Sequence, residues 1–328
     1  MKKTKNIFLQ RLIPLICAII TLTSLLCSCT FPRDELQINI SVLNGTTGFG
    51  AAKLMTDAAD GKTELNYKFT VEKESEPITK GLINGSVDIA ALPTNAAAAL
   101  YNKTNGAVKI AAVNTLGVLY LVVNGEKVDI TDLSELDGKT VYCPAQNPAF
   151  IFEAICRENN INVTIDTSYA EPAFLREAIV TGKVDIAVLP EPMVTIAKNA
   201  NDKLAVALDL TDEWEKVYGD NTLMQGCIVV RTEWADAHPK ELEQFLSDYE
   251  DSIQFTISDP KGASVCIAEA GIFAQAAVAE QAIPKCNIVF VDGEEMASAL
   301  DVFFAKLYAI NPKSVGGKIP DSKIYLEK

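Results

Sequence analysis

Two rhythms of apolar and polar residues take turns along this chain. Short apolar or β-branched runs at 37–43, 65–71, 88–92 and 108–113 predict strands, and 50–59, 76–83 and 96–101 between them have helical composition. The same order then recurs. Strand-like runs at 140–143, 163–166, 185–189 and 204–209 alternate with helical runs at 149–158, 171–180 and 193–198. Beyond Arg231 the chain turns mainly helical, at 239–257, 260–270, 274–282 and 294–310, with a strand at 287–291. Such alternation predicts the α/β class, with mixed, mostly parallel sheets flanked by helices.

The recurrence extends to the residues themselves. Gly85-Ser-Val-Asp-Ile-Ala-Ala-Leu-Pro93 returns as Gly182-Lys-Val-Asp-Ile-Ala-Val-Leu-Pro190, identical at seven of nine positions. In each copy a helix ends at Gly, a buried strand follows, and Pro stops it. A single copy would be an ordinary helix–Gly–strand turn. A second element repeats at similar spacing, however: strand 37–43 leads into Asn44-Gly45-Thr46-Thr47-Gly48, and strand 140–143 into Pro144-Ala145-Gln146-Asn147-Pro148. Two strand–loop–helix units, each followed by the same strand, predict two similar lobes. Extended runs at 116–123 and 226–231 join them, so a hinge is expected there with a cleft between the lobes. Most of the helical C-terminal stretch is expected on the first lobe. The boundaries this predicts are 36–118 with 226–328 for lobe 1 and 119–225 for lobe 2.

Ahead of the first strand lies a different kind of segment. Lys2, Lys3, Lys5 and Arg11 precede an apolar run from Leu12 to Leu26, which ends in Leu26-Cys27-Ser28-Cys29 and a polar stretch. This describes an export signal over 1–28 and a linker over 29–35. An uncleaved membrane anchor is the alternative, and both place the body outside the cytoplasmic membrane. The first 28 residues hold four of the 29 basic residues and no acid, so the rest carries 25 bases against 43 acids, a net charge of −18. So acidic a body, with no basic stripe, argues against nucleic acid as a partner. Five further cysteines (Cys143, Cys156, Cys227, Cys266, Cys286) are widely spaced without a CxxC pair. No metal site or cofactor is expected; Cys143, Cys156 and Cys266 read as small core residues, and one disulfide stays open.

The Leu-x-Ser-Cys ending resembles the lipobox of bacterial lipoproteins, which implies lipidation of Cys29 and a lipid-anchored mature chain. The rest resembles a family as well. Asn-Gly-Thr-Thr-Gly-Phe-Gly-Ala-Ala-Lys-Leu-Met, Val-Asp-Ile-Ala-Ala-Leu-Pro-Thr-Asn, Leu-Pro-Glu-Pro-Met-Val and Asn-Pro-Lys-Ser-Val-Gly-Gly-Lys-Ile-Pro-Asp look like the substrate-binding lipoproteins of ABC transporters. More narrowly, they are similar to the branch of sulfonate, taurine and nitrate receptors and thiamine-pyrimidine-precursor binding proteins. That resemblance implies a two-lobed type II periplasmic-binding fold. It also implies a monomer at the extracytoplasmic face of the membrane that hands a small solute to an ABC permease and its ATPase.

In open α/β sheets ligands sit beyond the carboxyl ends of strands. That rule selects Thr46, Thr47, Gly48 and Phe49 after the first strand, Thr94 and Asn95 after the repeat strand, and Asn114 and Thr115 beyond Val113. The second lobe contributes Gln146, Asn147, Glu191 and Met193. Thr46-Thr47-Gly48 at a helix start suits an anion, and equally an ordinary helix entry. Glu191 could meet an amine or be a solvated acid in an exposed first turn. Because these loops hold no Lys or Arg, the expected solute is a singly charged organic anion, a zwitterion or a neutral pyrimidine-like molecule. An enzyme reading finds little support. The one histidine, His238, lies beside Pro239 in a polar surround, no G-x-S-x-G elbow occurs, and the acid pairs Asp212-Glu213 and Glu294-Glu295 suit helical first turns. The alternatives are a pyrimidine-precursor-forming enzyme of the same fold, whose cysteine-rich motif is missing, and a non-transport surface lipoprotein.

Overall fold

The computed structural model describes residues 36–327; the expected export signal and Cys29 lie outside them. The strands are β1 (Gln37–Leu43), β2 (Asn66–Glu72), β3 (Ile89–Pro93), β4 (Val108–Thr115), β5 (Leu119–Asn124), β6 (Thr140–Tyr142), β7 (Thr164–Asp166), β8 (Ile186–Pro190), β9 (Leu204–Asp209), β10 (Gly226–Arg231) and β11 (Ile288–Val291). They form two sheets, one ordered β11-β4-β10-β3-β1-β2 and the other β7-β6-β8-β5-β9. Read from β2 and from β7, the two orders correspond over five strands, and β11 is an addition at the edge of the first sheet. In each, the repeat strand (β3 or β8) lies parallel to the first strand of its unit, and one antiparallel strand is inserted beside it. That inserted strand is β10 in the first sheet and β5 in the second, each entered straight from the other lobe. The molecule is therefore a two-lobed α/β protein.

The repeated motif has a local cause. Gly85 and Gly182 both adopt positive φ (79° and 72°), which lets each helix end and turn directly into its strand. The following aspartate then anchors the first sheet. Asp88 accepts from the Asn39 backbone N–H at 3.0 Å and faces the Arg231 guanidinium at 3.2 Å, tying β1, β3 and β10 at their far ends. Its counterpart Asp185 pairs only with Lys127 near the surface.

Helices cover both faces of each sheet. Ala52–Ala59, Pro239–Ser258, Pro260–Glu269 and Ala276–Ala282 pack on one face of the first sheet around Phe49, Phe245 and Tyr249. Pro172–Val180 and Met193–Ala200 cover one face of the second. A single apolar cluster joins the remaining faces and runs continuously from Leu92 and Val113 to Leu121 and Val188. Gly293–Ile310 lies in that cluster and is shared, touching β4 on one side and helix Asn147–Glu158 on the other. Among the described residues no helix is long and apolar enough to cross a membrane.

Two expectations need correction. The runs 116–123 and 226–231 are not themselves the flexible joints. Leu119–Asn124 and Gly226–Arg231 are central strands bonded on both sides, and a strand held that way cannot bend freely. The connections are the short segments before them, residues 116–118 and 223–225. The open disulfide also closes as a question, since all five cysteines are free thiols. Cys143, Cys156, Cys227 and Cys286 are buried, and burial pushes the Cys156 thiol up to about 12.

Candidate functional site

Strands β1, β3, β4 and β6 all point their carboxyl ends at the gap between the sheets, because parallel strands feeding helices place every strand-to-helix turn at one edge. The turns enclose a cavity of about 310 Å³. Thr46 and Thr47 enter it from β1, Pro93, Asn95 and Ala96 from β3, Thr115 from β4, and residues 145–148 from β6 on the facing lobe. Ser75, at the helix that follows β2, lines it as well, as do Val118 and Gln225 of the two connectors. The lining contains no Asp, Glu, Lys, Arg or His.

What the cavity offers instead is hydrogen-bonding capacity at helix starts. Ser75–Asn84, Thr94–Thr104 and Asn147–Glu158 all begin at the cavity, and none has a side-chain hydrogen bond at its N-cap. Their first turns, at the positive ends of the helix dipoles, thus lie at the cavity; of these N–H groups that of Thr94 is donated to the Gln225 carbonyl. Two lining amides, Asn95 and Asn147, one from each lobe, have a buried Oδ1 without a partner among the described residues. Gln146, just before Asn147 in the facing loop, holds a φ of 66°, a conformation that strains a residue with a side chain.

The structure brings together Thr46, Thr47, Asn95, Thr115, Gln146 and Asn147. It does not place the others in the cavity. Phe49 is fully buried against Phe273, with ring centroids 6.3 Å apart. Gly48 lies against the Leu43 carbonyl so closely that a Cβ would clash with it. Thr94 is buried and donates its hydroxyl to the Met224 carbonyl at 2.5 Å. Asn114 sits behind the lining, donating to the Thr47 carbonyl and to the Tyr249 hydroxyl, each at 2.9 Å. It thus holds the first loop in place from the rear. Met193 contacts Arg176 on the adjacent helix.

Glu191 departs furthest from expectation. Of its two readings, a partner for an amine or a solvated first-turn acid, the second does not hold, since the residue is buried at 2 % exposure. Its carboxylate folds back on its own helix, accepting from the Thr195 N–H at 3.1 Å and the Thr195 hydroxyl at 3.0 Å. The Lys285 ammonium of the other lobe stands 3.9 Å away. Burial dominates those favourable contacts and raises the carboxyl above its ordinary range. Ser75, Val118 and Gln225 escaped the sequence reading. Ser75 follows a strand end and obeys the rule that found the others, whereas Val118 and Gln225 belong to connectors that no strand-end rule selects.

Among the described residues no group of three or more His, Cys, Asp or Glu side chains gathers as a metal site. His238 is half-buried beside Trp234, 5.2 Å between ring centroids, remote from the cavity lining.

Comparison with known proteins adds to this geometry. The family described as NMT1/THI5 like matches residues 62–263. No curated protein sequence matches the chain. Among solved structures, an ABC transporter from Parabacteroides distasonis is 27 % identical, covering 90 % of this chain and 100 % of its own, with a TM-score of 0.74. The periplasmic aliphatic sulphonate binding protein SsuA of Escherichia coli shares the fold at 15 % identity, covering 89 % and 92 %, with a TM-score of 0.70. The alkanesulfonate-binding protein SsuA of Xanthomonas axonopodis pv. citri, bound to MOPS, shares it at 13 % identity, covering 82 % and 93 %, with a TM-score of 0.58. The two-lobed architecture is that of periplasmic binding proteins.

Proposed function

The chain belongs to the NMT1/THI5-like family, and from that premise we propose that it is the solute-capturing component of an ABC importer. The cavity between the sheets is its binding site. One observation carries this reading: three uncapped helix starts from two lobes converge on a cavity without a single ionisable side chain. Such a site stabilises a compact negative charge through oriented N–H groups, and its lining holds no acid or base to activate the Ser and Thr hydroxyls for bond-breaking. The preferred solute is a small organic anion with one charge. A sulfonate is the leading candidate, in keeping with the sulfonate-binding proteins among its structural neighbours. A zwitterion is less well served, because Glu191, the acceptor expected for its ammonium, is engaged with Thr195 outside the lining.

Capture proceeds by lobe closure about residues 116–118 and 223–225, since ligand contacts both lobes at once only when the gap is shut. The loaded protein then delivers the solute to a permease at the outer face of the membrane, to which Cys29 tethers it through lipid. Intact-mass analysis of membrane-extracted wild type and Cys29→Ala tests the tether: the wild type should carry lipid mass and the variant should be released.

A thermal-shift screen over sulfonates, nitrate, bicarbonate, aminopyrimidines and amino acids, with mass spectrometry of the recovered ligand, tests the capture itself. A ligand at a hundred times its dissociation constant adds about 2.7 kcal/mol of stability. Recovery of an altered compound would point to catalysis instead.

A further inference from the structure

Gln225 stands where the binding cavity and the two connectors meet. Its backbone N–H donates to the Thr115 carbonyl at 3.0 Å, and its own carbonyl accepts from the Thr94 N–H at 3.1 Å. Both contacts belong to the first lobe. Its side-chain Oε1 accepts from the Val118 backbone N–H at 2.8 Å, so the second connector is tied to the first by this one amide. The tie also fixes which way the amide points. A backbone N–H requires an acceptor, so the oxygen must face Val118 and the NH2 group must occupy the other end. That NH2 makes no hydrogen bond to the described residues, and Gln225 lines the cavity. Unlike Asn95 and Asn147, whose amides have no such partner to orient them, Gln225 presents a donor whose identity is settled by chemistry.

We propose that Gln225 reads the solute, donating from Nε2 to an oxyanion oxygen in the cavity while its Oε1 holds Val118, so that occupancy is transmitted directly to the joint between the lobes. This rests on the cavity being the capture site. When the donor is engaged, the amide plane is fixed at both ends and the Val118 hydrogen bond is held. When the donor is not engaged, the amide is held at the Val118 end alone and that hydrogen bond opens more readily. Val118 also offers its carbonyl to the Glu191 N–H at 2.9 Å, so a change at Val118 reaches the second lobe at the turn after its repeat strand.

The experiment uses ethanesulfonate and acetate as probes, titrated by calorimetry into wild type, Gln225→Glu and Gln225→Met. The glutamate keeps an acceptor for Val118 but removes the donor, so its affinity for the bound probe should fall about 10- to 100-fold, the cost of one charge-assisted hydrogen bond. Its melting temperature without ligand should match the wild type. Amide exchange at Val118 in the wild type should slow when the probe is bound, and this needs no variant. In Gln225→Met the protection should be absent even at probe concentrations that restore occupancy. Wild-type binding with unchanged affinity in Gln225→Glu, or with unchanged Val118 exchange, overturns the assignment and leaves the capture reading standing. Failure of the wild type to bind either probe overturns the oxyanion assignment too, and the broader solute screen then decides the capture reading separately.

Discussion

The indole of Trp214 meets the ring of Phe303 edge-on, with centroids 5.6 Å apart and both side chains fully buried. Trp214 stands on Leu210–Tyr218, the helix that follows the last strand of the second sheet, and Phe303 on Gly293–Ile310 from the C-terminal stretch. Next to them the Lys306 ammonium lies 4.3 Å from the Tyr218 ring centre. The lobes are thus joined by a shared aromatic core as well as by two connectors. Closure must leave that core packed and move the lobes mainly at the cavity.

Truncating the aromatic contact should therefore weaken the whole chain. Phe303→Ala is expected to destabilise by about 3–5 kcal/mol, as large-to-small core changes do. Urea unfolding followed by Trp214 fluorescence measures it. A cost below about 1 kcal/mol would mean that the two halves are not stabilised through this contact.

Gly117, in the first connector, packs against Leu223 of the second with no room to spare. A Cβ there would run into the Thr211 hydroxyl and come within 2.7 Å of Leu223. Gly117→Ala should cost about 1–3 kcal/mol by overpacking. It should also shift the lobes apart, which small-angle scattering would register as a larger radius of gyration than the wild type under the same conditions. An unchanged profile together with unchanged stability would show that the connectors have slack.

The buried carboxyl of Glu191 sets a pH dependence with a definite sign. Its pKa is raised on folding from the ordinary 4.5, mainly by burial, so the folded state holds its proton over a window where the unfolded state has lost it. Stability from this group is therefore present below that window and declines as pH rises through it. Glu191→Gln removes the charge and should remove the decline. Melting temperatures of the two proteins should be similar below the ordinary carboxyl range and diverge as pH rises above it, with the variant the more stable. Parallel curves across the range would show that Thr195 and Lys285 fully offset the burial.

Much of this fold was legible because its signals are local. Gly85 and Gly182 mark helix ends by a backbone conformation that glycine alone adopts cheaply, and the matching strands between Gly and Pro betray the duplicated sheet order. Cleft residues such as Thr46 and Asn147 followed from strand polarity alone. What the sequence hid depends on distance. Nothing near Asn114 in the chain announces that Tyr249 will hold it behind the cavity wall. Glu191 stayed open between an amine partner and a solvated acid, because only the folded helix brings Thr195, four residues on, against its carboxylate. The sharing of Gly293–Ile310 between the lobes rests on its packing against helix Asn147–Glu158, far earlier in the chain. The runs 116–123 and 226–231 read as joints because an apolar run reads as extended chain whether it crosses between lobes or lies inside a sheet.

The measurement closest to the central claim compares solute binding in the wild type with binding in a protein whose cavity is filled. Ala96 lines the cavity at the start of its helix, and Ala96→Trp would occupy the space with an indole. Calorimetric titration of both proteins with the best solute from the screen, alongside their melting curves, is decisive. The account predicts one solute per wild-type chain, recovered chemically unaltered, and no measurable heat from a variant that remains folded. Equal affinity in the two proteins would contradict it and place the binding site elsewhere on the molecule.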